Sequence, residues 1–302
     1  MKISKIVTLS IVALSFFSCT KDIEINPSSS FTGQLYIESL LYPDKSPRVY
    51  LSRSLPFFDP SVTPQEIFAR GATVTISSSL GTETLLPDST FDKFRCRWVP
   101  YYEGSISVQY RESYDLMVIY EGKTYNASTT IDQDKVNIEK VEYIAEFFDI
   151  FGGHDGVIIT LTDPEGSGNF YRFQMNRMIN SETHHVDVLE GLINDCTNGE
   201  DYPITDLGRI VFSDENVDGQ RLELLIEVAF EYVKDDSTYV FLQSLDRNSA
   251  EFFIKLDEQS QAILNPFIES IFLESKIDGA IGFFGSAVLS DSVLFVYPVT
   301  GD

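Results

Sequence analysis

The chain is poor in the residues on which most metal and redox chemistry depends. It has 3 cysteines, 3 histidines and 1 tryptophan in 302 residues. No two cysteines stand in a CxxC spacing, which excludes a zinc ribbon. No HExxH occurs, and a catalytic zinc wants three converging nitrogen or carboxylate ligands. In an extended strand His185 and Asp187 share a face while His184 points away, so His154, His184 and His185 read as surface histidines. GxSxG, P-loop and GxGxxG patterns are also missing, which removes the common signatures of serine hydrolases, NTPases and dinucleotide enzymes. Basic residues are scarce as well: 22 Lys and Arg stand against 46 Asp and Glu, a net charge of −24. That balance excludes a nucleic-acid binder, which needs a basic footprint. It favours solubility without specifying a cationic ligand. With 46 acids, some carboxylate pair is always close, so sequence alone cannot argue for a glycosidase.

A long hydrophobic run is lacking at the N-terminus too, and what stands there is informative. Lys2 and Lys5 precede an apolar stretch, Ile6 to Phe17, of 12 residues. A spanning helix needs roughly 20, so the stretch reads as the core of a secretory signal. Ser18 then precedes Cys19. The arrangement resembles the lipobox of bacterial lipoproteins, although Phe16 and Phe17 replace the more usual Leu and small residue. The sequence therefore predicts a signal peptide over 1–18, cleavage before Cys19, and lipidation (palmitate among the acyl chains) at Cys19. Each buried CH₂ of an acyl chain adds about 0.8 kcal/mol to membrane binding, and stable anchoring takes more than one chain. Residues 19–33, with Pro27 and a serine run, read as a lipidated tether.

From Leu35 the pattern turns β. In LYIESLLY, Tyr36, Glu38 and Leu40 face one way and Leu35, Ile37, Ser39 and Leu41 the other. RVYLSRS, ATVTISS, TETLL, Phe94 to Val99, Ser105 to Tyr110, YDLMVIY and KTYNAST add further strands, and a helical turn is expected between Leu55 and Arg70. Strands at this spacing suggest an immunoglobulin-like β-sandwich over 34–131. The Cys-Trp-Cys signature of true immunoglobulins is absent. The polar stretch IDQDKVNIE, Ile131 to Glu139, reads as the joint to a second β-rich domain, 132–302, built as a curled sheet or partial barrel. One helix is expected in it near 249–263, where Phe252, Phe253, Leu256, Ala262 and Ile263 fall near helical spacing. The fold class is thus mainly β. Cys96 and Cys196 remain after Cys19 is lipidated. Two free thiols and a bridge between the domains are both open, and their separate domains favour free thiols.

SDENVDGQ places Asp214, Asn216, Asp218 and Gly219 as the D-x-N-x-D-G that opens an EF-hand calcium loop. The twelfth position, where a bidentate Glu is required, is Leu225, and the flanks read as strands. A polar hairpin loop is the better reading, and no metal, cofactor-binding or catalytic residue is assigned. The aromatic pairs Phe57-Phe58, Tyr101-Tyr102 and Phe283-Phe284 could stack on sugars or anchor a partner. Core or loop packing is favoured for each; if one pair is exposed, Tyr101-Tyr102 is the first choice.

Several stretches, in order, resemble an uncharacterised family of Bacteroidota outer-membrane lipoproteins: the lipobox followed by Lys21-Asp22, VYLSRSLPFFDP, RGATVTI, EGKTYNAST, TDPEGSGNFYRF, SDENVDGQ and SKIDGAIGFFGSA. The likeness covers nearly the whole mature chain. It implies a lipid-anchored protein at the outer membrane, facing the exterior, often encoded beside TonB-dependent transporters, and no established activity. Asp88-Ser89-Thr90, Asp236-Ser237-Thr238 and Asp291-Ser292-Val293 resemble a short O-glycosylation motif of exported Bacteroidota proteins. Three functions remain: a non-catalytic accessory or ligand-binding subunit of a TonB-dependent uptake system, with that transporter as partner; a surface hydrolase of glycan or peptide; and a structural or adhesive surface protein.

Overall fold

The alternation in the first strand sets the plan of the molecule. In β1 (Leu35–Leu41), Leu35, Ile37, Ser39 and Leu41 are buried, while Tyr36, Glu38 and Leu40 occupy the opposite, half-buried face. A strand's side chains alternate between faces, so one face joins a core and the other is left for something else. Asp44, in the left-handed region at φ +62°, turns the chain into the antiparallel β2 (Arg48–Arg53). On its other side β1 pairs in parallel with β17 (Ile281–Leu289). Gly282 makes this approach possible. Its φ is +122°, and a Cβ there would lie 1.9 Å from the carbonyl oxygen of Ile37.

The computed structural model describes residues 33–56, 59–61, 63–149, 152–179, 186–187, 192–193, 196, 199–208, 210–227, 236–263 and 271–298. The expected signal peptide 1–18, Cys19, nearly all of the expected tether, Phe57-Phe58, His184 and His185 lie outside them. Between β2 and β17 come α1 (Pro64–Ile67), β3 (Thr73–Ser78), β4 (Gly81–Asp92), β5 (Arg97–Glu103), β6 (Ser113–Tyr120) and β7 (Lys123–Thr130). Then follow β8 (Lys140–Asp149), β9 (Gly152–Thr162), β10 (Phe170–Ile179), β11 (Val186–Asp187), β12 (Leu192–Ile193), β13 (Tyr202–Leu207), β14 (Phe212–Ser213), β15 (Arg221–Glu227), β16 (Ser237–Leu245) and α2 (Arg247–Ile263); β18 (Val293–Val296) closes the series. The protein is mainly β, as expected. Residues Gly33–Leu55 and Pro60–Asp302 form one compact unit.

Its long sheet runs β13-β10-β16-β17-β1-β2-β5-β4-β3-β6-β7, with β14 and β18 pairing at its side. The strands expected to make an immunoglobulin-like sandwich are thus consecutive hydrogen-bonded neighbours and are not divided into two sheets. Through the β1–β17 pairing the sheet also crosses the joint expected at 131/132. That joint, Ile131 to Glu139, carries no strand, and Ile131, Val136 and Ile138 are buried. One core gathers Ile37, Val49, Val74, Leu116, Val118 and Phe284. A second gathers Val157, Ile159, Leu161, Tyr171, Met175 and Val240, joining the separate three-stranded sheet β15-β9-β8 to the β10–β16 region.

Three expectations change. Ser105 to Tyr110 is not a strand, because Glu83 captures its backbone: the carboxylate accepts the N–H of Ser105 at 2.5 Å and of Ile106 at 3.1 Å. β4 instead extends through Pro87-Asp88-Ser89-Thr90. Cys96 and Cys196, for which free thiols were favoured over a bridge, are bonded, with Cα atoms 5.6 Å apart. Membership of separate domains was the ground for that expectation, and the folded chain brings the β4–β5 turn to residue 196. Lys93, in that turn, also pairs with Glu200 at 3.5 Å.

The expected helix is present as α2, two residues longer at its start. Asp246 caps it: Oδ2 accepts the N–H of Asn248 at 3.2 Å, and Oδ1 accepts that of Ser286 on β17 at 2.9 Å. The cap therefore also ties the helix to the sheet. Among the described residues no helix is long and apolar enough to cross a membrane.

Candidate functional site

The face of β1 turned away from the core supplies the wall of a cavity of about 740 Å³. Glu38 stands opposite Tyr50 of β2 on one side and opposite Phe283 of β17 on the other. Leu40 and Tyr42 continue the wall, Arg48 comes from β2 and Glu103 from β5, while Arg172 of β10 and Phe253 of α2 close the far side. A smaller cavity of about 220 Å³ shares Glu38 and Tyr50 with it. Clefts that combine apolar and aromatic walls with a few convergent polar groups are the usual form of small-molecule sites.

The polar groups are held from several directions. Tyr36 donates its hydroxyl to Glu38 Oε2 at 3.0 Å. Burial raises the Glu38 pKa above the ordinary carboxylate value, against the lowering influence of Tyr36 and Arg172. Burial, then the adjacent Glu38, likewise raises that of Tyr36. Tyr42, pushed up to about 12 mainly by burial, accepts a hydrogen bond from Gln243 Nε2 at 3.1 Å. Gln243 also donates to Gln174 Oε1 at 2.9 Å. Arg48 is paired with Glu103 at 2.7 Å and lies over the Tyr101 ring at 4.6 Å.

Arg172 is held differently. Its Nε donates to the carbonyl of Gly208 at 2.7 Å, and its guanidinium lies 4.2 Å from the centroid of Phe253. Burial lowers its pKa, although Tyr42 and Glu38 pull it upward. A desolvated cation with no carboxylate hydrogen-bonded to it among the described residues is poised to meet an external charge.

A second group of side chains answers the calcium-loop motif. Asp214 and Asp218 come together with Asp163, their nearest oxygens within 4.8 Å of one another. Sequence spacing alone missed Asp163, which reaches the loop from the end of β9. Three carboxylates could share a hard cation, but each is already engaged by backbone. Asp163 accepts from Gly219 N–H at 3.0 Å, Asp214 from Gly168 N–H at 2.8 Å, and Asp218 from Gly166 N–H at 2.8 Å. Asp163 also accepts the Tyr171 hydroxyl. Asn216 sits at φ +73° and points to a turn rather than a ligand role. Leu225, at the twelfth position, lies within β15. The arrangement clasps the 163–169 loop to the 214–219 loop.

The aromatic pairs separate. Tyr101 and Tyr102, the first choice for exposure, are 3% and 2% exposed, and Tyr102 donates to the Ala69 carbonyl at 2.9 Å. Phe283 and Phe284 are buried, on opposite faces of β17, so that Phe283 alone reaches the cavity. His154 falls within β9. The cavity residues Glu38, Arg172 and Phe253 were not singled out by sequence. The β1 alternation was the available signal for Glu38; none marked Arg172. Residues 20–291 match the model of a protein family described as a domain of unknown function, DUF4249. No curated protein matches the chain.

Proposed function

The chain belongs to the DUF4249 family, a domain of unknown function, and from that premise we propose that it is a non-catalytic binding protein. In this reading it is lipid-anchored through Cys19 at the outer membrane, faces the exterior, and serves as accessory subunit to a TonB-dependent transporter. The cavity bounded by Glu38, Tyr42, Arg172, Phe253 and Phe283 holds the nutrient or a portion of it. The observation that carries the reading is this cavity, large enough for a small organic molecule and lined by both aromatic and convergent polar groups. The leader and lipobox-like Ser18-Cys19 support the location. Extraction of the native membrane in mild detergent, capture of the protein and mass spectrometry test it. A stoichiometric transporter, lost with Cys19→Ala, is the expected result; a protein that always runs alone, although lipidated and at the surface, overturns the accessory role.

The raised pKa of Glu38 favours one second reading, a surface hydrolase with Glu38 as general acid. Turnover of a glycan or peptide panel that disappears in Glu38→Gln would establish it and displace the binding role.

A further inference from the structure

We infer that the cavity takes a ligand bearing a single carboxylate on a flat, largely apolar body, and that Arg172 is its anchor. The inference rests on the cavity being the binding site. A guanidinium offers five N–H donors in a planar fork matched to a carboxylate. In Arg172 only Nε is committed, to the Gly208 carbonyl. Among the described residues, no hydrogen bond or ion pair engages its two terminal nitrogens, and Arg172 lines the cavity. The fork is also fixed in orientation, because it lies on the Phe253 ring at 4.2 Å. Phe253 in turn meets Phe283 at 5.0 Å in an edge-on contact. A carboxylate seated on the fork would therefore carry its body along a wall made by Leu40, Phe253 and Phe283.

Charge selects the kind of anion. The other cavity arginine, Arg48, is neutralised by Glu103. Glu38 and Asp44 add further carboxylates to the lining, and Lys45 is the remaining cation. A dianion such as phosphate would meet this negative surround at greater cost than a monoanion. The chain as a whole, at −24, gives no general attraction for anions, so recognition must come from this one desolvated cation.

Calorimetric titration of the purified full chain with benzoate, benzamide and inorganic phosphate at fixed ionic strength tests the inference. Benzoate and benzamide share a shape and differ in charge. Benzoate is expected to bind about tenfold tighter than benzamide, as a charge-assisted fork contact would give, and tighter than phosphate. Arg172→Gln is expected to bring benzoate down to benzamide's affinity with benzamide unchanged. Should that variant unfold, Glu38→Gln supplies the opposite sign: removing a competing negative charge is expected to tighten benzoate several-fold at neutral pH. Equal binding of benzoate and benzamide, weakened together by Phe253→Ala, overturns the carboxylate preference and leaves the cavity as the site. A benzoate preference untouched by both Arg172→Gln and Glu38→Gln, or no binding by either probe, overturns the inference and the cavity assignment together. Galacturonate against galactose, and Gly-Phe against its amide, then show whether an acidic sugar or a peptide terminus carries the Arg172-dependent difference.

Discussion

At the residue scale, Glu38 shows how a strand's alternation turns into chemistry. Its position opposite the core-facing set Leu35, Ile37 and Leu41 was readable from the sequence. That Tyr50 and Arg172 would join Tyr36 beside it was not, because Tyr50 comes from β2 and Arg172 arrives from β10 by way of the sheet order. The raised pKa has a consequence for stability. The folded chain holds the Glu38 proton more tightly than the unfolded chain does, so the protonated group favours the fold. Its contribution is complete below the ordinary carboxylate range and is lost as pH rises through the raised folded value. Urea unfolding followed across this acid range is expected to show stability falling with pH at that point, and Glu38→Gln is expected to flatten the step. An identical profile in the variant would mean that Glu38 ionises as freely in the folded state as in water.

At the element scale, two joints decide whether the cavity exists. The first is the parallel β1–β17 pairing, which sets Phe283 beside Glu38. Gly282 has both a positive φ and a Cβ position 1.9 Å from Ile37 O, whereas Gly71, at φ +80°, has nothing within 4 Å. Gly71→Ala is expected to cost about 1 kcal/mol from backbone strain alone, and Gly282→Ala about 3 kcal/mol or more because backbone must also move. Denaturant midpoints of the two variants check this difference; equal values would remove the close approach as a determinant. The second joint is the clasp around Asp163. Asp163→Ala leaves the buried Tyr171 hydroxyl without its acceptor and frees the exposed Gly219 N–H, at a cost of about 1–3 kcal/mol. Thermal melts that show no loss would mean water takes over both donors. Periodicity made α2 legible, since its apolar residues recur along one face. Ser105 to Tyr110 was misread because the pattern cannot show that Glu83, more than twenty residues earlier, holds the N–H groups of Ser105 and Ile106.

At the scale of the whole molecule, sequence reasoning read the β content, and it could not read pairings between distant segments. Both β1–β17 and Cys96–Cys196 are of that kind: nothing local to either partner encodes the other. The disulfide carries the larger consequence. It closes a loop over a sequence separation of 100, running from the β4–β5 turn across β5 to β12. Restricting the unfolded chain over such a span is worth about 5 kcal/mol in the loop-entropy model, and measured bridges give about 2–4 kcal/mol. Urea denaturation with and without reductant is therefore expected to separate by that amount, and Cys96→Ser, Cys196→Ser and the double variant should all match the reduced protein. Agreement among the three, with reductant then having no further effect, would assign the stabilisation to the cross-link alone. It would also make this stabilisation depend on an oxidising environment, since in a reducing compartment it would be withheld. A reduced protein as stable as the oxidised one would show that the packing around Lys93, Cys196 and Glu200 holds the segment without the bond.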